Sequence, residues 1–146
     1  MIFSDYKFVD VAFENYRNRN HVIDLNEIVL PDPPVECYAT YCRFPESYRE
    51  HYLKNNHRVA GYHGSAFADA VPIDIDNSNL QASHNTVRDF LKYLESKYDV
   101  PLESLGLHHS GKKGFHISIP VALLGEVEPA EDLPARFKTL VKSFGD

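Results

Sequence analysis

Several things are scarce in this chain of 146 residues, and each scarcity closes off a class of protein. There are two cysteines, Cys37 and Cys42, too few for the disulfide framework of a small secreted domain and compatible with a reducing compartment. No uninterrupted apolar run approaches the roughly 20 residues that a membrane-spanning helix needs. The opening MIFSDYKF lacks the basic and apolar regions of a secretory signal. The expectation is a cytoplasmic protein with no membrane partner. Basic residues are also in the minority: 15 Lys and Arg against 21 Asp and Glu leave a formal charge of −6. That argues against a surface coated for non-specific DNA binding, although it leaves room for a local groove. Tryptophan is absent, against nine Tyr and nine Phe, and there is neither an internal repeat nor a low-complexity tract.

What remains is an ordinary globular composition, 43% hydrophobic and 25% charged, in a chain long enough for one domain with a real core. One domain over 1–146 is expected, with residues 1–35 as an N-terminal extension. In that extension the aromatic-rich pattern from Phe3 to Tyr16 fits a strand or a helix, YRNRNH is turn-like, and Pro31, Pro33 and Pro34 impose an extended connector. Further along, 35–44 reads as a strand, 46–55 as a short helix, 58–62 as a strand and 66–76 as the central strand, with Pro72 a misfit that suggests a bulge or a sheet edge. Asn77–Asn79 is a helix-entry signal. Apolar residues at Val87, Leu91, Leu94 and Tyr98 then give a helix over 80–98, ended by Asp99 and Pro101. Strands over 105–109 and 114–119 flank a tight loop at 110–113. A helical turn at 121–124 and an amphipathic helix over 133–144 complete the chain. The fold class is α+β, with a mixed or antiparallel sheet and helices packed on one face.

Two stretches carry chemistry. The first is AVPIDIDN, where Asp74 and Asp76 are separated by one residue. Side chains alternate along a strand, so Ile73 and Ile75 face the core and both aspartates share the opposite face. Paired carboxylates repel, and a hard divalent cation removes that cost. Mg²⁺ is held by one or two carboxylates together with substrate phosphates. An edge strand with a solvated polar face has the same pattern. The second stretch is HHSGKKGFHIS. Glycines bracket Lys112 and Lys113 between two strands, so backbone amides and lysine charge can receive phosphate. Ser110 before the turn and His116 after it can converge on one phosphate. A polar hairpin tip is the competing description, and the spacing and the following strand exclude a Walker A loop.

Together the two stretches resemble the catalytic core of the archaeo-eukaryotic primase, or primase-polymerase, superfamily. The likeness rests on Ile73-Asp74-Ile75-Asp76, the intervening helix, and Ser110-Gly111-Lys112-Lys113-Gly114-Phe115-His116-Ile117, and extends over about 36–144. It implies that Asp74 and Asp76 hold Mg²⁺ or Mn²⁺ and act in catalysis with His116. It also implies that Ser110, Lys112, Lys113 and His116 bind the triphosphate of an NTP or dNTP. DNA template or primer would be the macromolecular partner, with a helicase or other primase domains in the same assembly. Arg43 is a lesser candidate for a nucleotide contact. The family's third motif, a hydrophobic residue followed by Asp, has no counterpart here. The resemblance therefore implies an N-terminal catalytic portion or a reduced relative. A non-catalytic nucleotide- or nucleic-acid-binding domain of a larger replication protein is the alternative. A metal-dependent phosphohydrolase fits less well, because no base is placed to activate water.

Cys37, Cys42, His51 and His57 are spaced loosely for zinc, without the close cysteine pairs of structural sites, and buried free cysteines are the better expectation. One of His108 and His109 should face the core and the other the site. Tyr38, Tyr41, Tyr48, Tyr52 and Tyr62 could stack on bases, with Tyr62 the first to test.

Overall fold

A computed structural model describes residues 3–111 and 113–145. The chain divides into two compact units, Met1–Ala68 with Glu128–Asp146, and Asp69–Val127.

The first unit is built around strand β1 (Phe8–Phe13), so the expected N-terminal extension supplies its core. Phe8, Val9, Val11 and Ala12 are all buried. β1 pairs antiparallel with β2 (Val22–Asp24) and with β3 (Cys37–Ala39) in the order β2-β1-β3. The strand expected over 35–44 thus shrinks to three residues. Beyond it the Thr40 hydroxyl donates to the Cys42 carbonyl and accepts from the Asp10 N–H, which turns the chain out of the ladder. Helix α1 (Glu46–Lys54) follows as expected, and its buried Tyr48 stacks on Phe44 with centroids 4.0 Å apart. No strand forms over 58–62. Asn56, His57 and Gly61 take positive φ there, which breaks an extended run. Ala66 and Phe67 make isolated bridges to Ala130 and Arg43. Helix α3 (Leu133–Ser143) buries Leu133 and Phe137.

The second unit is a strand–helix–strand–strand arrangement. Strand β4 (Ala70–Asp76) leads into helix α2 (Leu80–Tyr98). The Asn79 side chain caps that helix by accepting from the N–H groups of Gln81 and Ala82, and Asp99 ends it in the left-handed conformation. Strands β5 (Gly106–His109) and β6 (Gly114–Pro120) form a hairpin. The sheet order is β4-β6-β5, antiparallel throughout. β4 is therefore an edge strand of its sheet, not the central one. The chain reverses after β4 through a full helix, and the hairpin returns with β6 inserted between. Pro72 fits an edge, where a missing amide leaves no broken ladder. One face of the sheet carries Val71, Ile73, Ile117 and Ile119, all buried, and α2 presses Ser83, Val87 and Leu94 into the interior of the same unit. No helix of the described residues is long and apolar enough to cross a membrane.

Candidate functional site

Strand alternation puts the second face of the Asp69–Val127 sheet in view of solvent. Asp74 and Asp76 are both exposed on β4, with Ile73 buried and Ile75 half-buried on the opposite side, as the Ile-Asp-Ile-Asp pattern requires. The register then sets their neighbours. Asp74 lies opposite His116, and Asp76 lies opposite Gly114. His116 Nε2 approaches Asp74 Oδ1 to 3.4 Å, with the two side chains 58% and 65% exposed. A protonated imidazole and a carboxylate at that separation attract, yet both remain open enough to turn to a ligand.

Gly114 is needed where it stands. A Cβ at this position would run into the carbonyl oxygen of Ile75 and the carboxylate of Asp76. The close approach of β6 to β4 at Asp76 therefore depends on a residue with no side chain. Four residues earlier, Ser110 closes the turn from both ends. Its N–H donates to the Gly114 carbonyl at 2.9 Å, and its hydroxyl accepts from the Gly114 N–H at 3.0 Å. Gly111 takes φ +86 in between, a left-handed conformation natural to glycine. The far side of the turn is anchored to the start of α2: the Lys113 carbonyl accepts from the Ser83 hydroxyl at 2.9 Å and from the Asn77 N–H at 3.3 Å. The Lys113 side chain is exposed. Lys112 lies outside the described residues.

Asp74, Asp76 and His116 thus share one face, with Ser110 and Lys113 in the turn that ends beside Asp76. Ser110 is already engaged with the backbone, so its first role is to shape the turn. Of the two adjacent histidines, His108 is the one on the site face. It pairs with His116 in the β5–β6 register, so Asp74, His116 and His108 form one cross-strand row. The His108 ring reaches back toward Gly106, at ordinary contact distance from where a side chain there would begin. The signal was present in the sequence, since folding the hairpin about Ser110–Gly114 sets His108 against His116. His109 falls on the other face, its ring 5.2 Å from Phe115, so the two histidines divide between faces, although His109 is exposed and not part of the core.

No protein family, curated protein or solved structure matches the chain.

Two carboxylates on one strand face suit a hard cation that takes its other ligands from water and phosphate. Among the described residues no group of three or more His, Cys, Asp or Glu side chains forms a ready metal cage. Of the loosely spaced zinc candidates, Cys37 is exposed and Cys42 is buried. Burial raises the Cys42 thiol above its ordinary range. Arg43 packs its guanidinium 5.3 Å from the Phe67 ring centroid within the first unit. Tyr62 also belongs to that unit's packing: its ring meets Tyr48 edge to face at 4.9 Å, and its hydroxyl pairs with Ser47. Burial raises the Tyr62 hydroxyl above the ordinary tyrosine range. Tyr48 is buried outright. Tyr38 and Tyr41 remain exposed.

Proposed function

We propose that the chain is a template-dependent nucleotidyltransferase of the primase-polymerase type, or the N-terminal catalytic portion of one. The observation that carries this reading is the row of ligand-capable groups on the open sheet face. Asp74 and Asp76 stand together, His116 faces Asp74, and the Ser110–Gly114 turn ends beside Asp76. In this reading Asp74 and Asp76 hold Mg²⁺ or Mn²⁺. His116 and Lys113 meet the triphosphate of an NTP or dNTP, Ser110 shapes the turn that receives it, and Lys112 joins them from the same loop. When bound, the metal lowers the pKa of an attacking 3′-hydroxyl and stabilises the departing pyrophosphate. The protein's own task is to position and to neutralise charge, which needs few groups. DNA template and primer are the macromolecular substrates, and a helicase or other primase domains would work beside it.

A second reading is supported by the carboxylate count. Two carboxylates, not three, stand on that sheet face among the described residues. A domain that binds nucleotide or nucleic acid without turnover, within a larger replication protein, fits that count.

Primer extension tests the two. A labelled primer on a single-stranded template is incubated with the chain, Mn²⁺ and either NTPs or dNTPs. Added nucleotides, lost in the Asp74→Asn/Asp76→Asn variant, support the transferase. Metal-dependent nucleotide binding without extension supports the binding domain. Neither extension nor binding would overturn both.

A further inference from the structure

The first unit contains a groove that the sheet site does not use. Its volume is about 500 Å³, within the range of sites that accept small organic ligands. Its walls include Asp10, Tyr16, Arg19, Tyr38, Tyr41 and Phe44. Three of the rings are open to solvent: Tyr16 is 57% exposed, Tyr38 41% and Tyr41 47%. Tyr16 and Tyr38 meet edge to face with centroids 6.3 Å apart. Arg17 lies over the Tyr16 ring at 5.4 Å and donates from Nε to its hydroxyl.

The groove's cation is held in place. Arg19 Nε donates to Asp10 Oδ2 at 3.2 Å, and the Asp10 carboxylate is fully buried while the Arg19 side chain is 54% exposed. Asp10 also accepts from the N–H groups of Asn20 and His21. The buried acid therefore fixes one edge of the guanidinium and leaves the rest of it accessible. The supporting loop is clamped as well. Asn20 takes φ +70, its Oδ1 accepts from the Val59 N–H, and its carbonyl accepts from the Tyr52 hydroxyl. Rings and cation are thus presented with little ordering left to do on binding.

We propose that this groove grips single-stranded nucleic acid, with a base stacked against the Tyr16, Tyr38 and Tyr41 rings and its phosphate paired with Arg19. Exposed aromatic faces beside a fixed guanidinium are the elements that bind unpaired strands without sequence preference. A duplex keeps its bases stacked within itself, and a net charge of −6 does not favour non-specific binding to its densely charged backbone. The ligand class rests on the function proposed above, but none of the groove residues belongs to the sheet site.

Fluorescence anisotropy of a labelled dT 12-mer, titrated with the full chain in excess chelator, tests this while metal-dependent nucleotide binding is silent. Binding is expected for the intact chain. Tyr38→Ala and Tyr16→Ala should each weaken it about tenfold, and Tyr38→Phe, which keeps the ring, should stay within about twofold. Tyr16 is exposed enough that its removal leaves the fold intact, and circular dichroism checks each variant. Asp74→Ala/Asp76→Ala should bind the oligomer as the parent does, so a failure here is separable from a failure at the sheet site. Any of four results would overturn the proposal: no binding by the intact chain, undiminished binding by both alanine variants, equal binding of a duplex, or competition by dTMP as effective as that by unlabelled oligomer.

Discussion

The two compact units treat the aspartates on their strands in opposite ways. In the first, Asp10 and Asp24 are buried and tied down. Asp10 accepts from Arg19 and two backbone N–H groups, and Asp24 pairs with Lys7 at 2.7 Å and accepts from the Asn26 N–H. In the second, Asp74 and Asp76 stand exposed on a sheet face, and among the described residues Asp74 has only the open contact to His116. A carboxylate whose lone pairs are all used by the protein is structural. One left exposed at a fixed spacing beside another is available to a ligand, and the fold loses little if it is removed. The stability of the second unit lies elsewhere, in the Val71, Ile73, Ile117 and Ile119 face and in the residues that α2 buries.

That contrast can be broken most forcefully at Asp10. Asp10→Ala removes three charge-assisted hydrogen bonds and should cost about 3 kcal/mol. Asp74→Ala should stay within about 0.5 kcal/mol of the parent. Urea titrations of the two variants compare them directly, and equal losses would erase the distinction. A somewhat smaller effect is expected at Gly114. Gly114→Ala forces a Cβ against the Ile75 carbonyl and the Asp76 carboxylate and should cost about 1–3 kcal/mol, as overpacking does. A thermal melt unchanged from the parent would show that β4 and β6 can part there freely. His116→Ala should weaken ATP binding about tenfold, the scale of one charge-assisted contact, and leave adenosine binding as it was. Equal losses for both ligands would remove His116 from the phosphate.

The smallest effect is in pH. The Lys7 hydrogen bond, aided by the Asn26 N–H, holds the Asp24 carboxyl below its usual range. A depressed folded-state pKa means stability that is present above the unfolded value near 4 and lost as pH falls through the folded one. Lys7 is raised by the same bond, so its share is present below its ordinary value and lost as pH rises through the raised one. Asp24→Asn should therefore flatten the acid side of the stability curve slightly. Melting temperatures from pH 2 to 7 measure it, and a slope identical to the parent's would remove the pair from the acid transition.

The parts of the fold that local chemistry determines were readable. Helix α2 follows from its apolar spacing, its Asn79 cap and the stop at Asp99, and its limits coincide with those expected. The shared face of Asp74 and Asp76 follows from alternation alone. The parts that depend on remote partners were not. Nothing local to residues 35–44 or 58–62 shows that the Asp10 N–H will donate to the Thr40 hydroxyl or that the Val59 N–H will donate to Asn20 Oδ1. Nor does β4 itself say that β6 will lie between it and β5, since strand order depends on where a distant hairpin docks. Which of His108 and His109 takes the site face is set by the β5–β6 hairpin, which is local, so that part was within reach of the sequence.

Calorimetric titration with ATP and dATP in Mn²⁺, with chelator as control, addresses the central claim, that the open sheet face holds a metal-bound nucleotide. The intact chain should bind only with metal present, and Asp74→Ala/Asp76→Ala should lose that binding while melting as the parent does. Binding of unchanged affinity in the double variant, or no binding by the intact chain under any of these conditions, would contradict it.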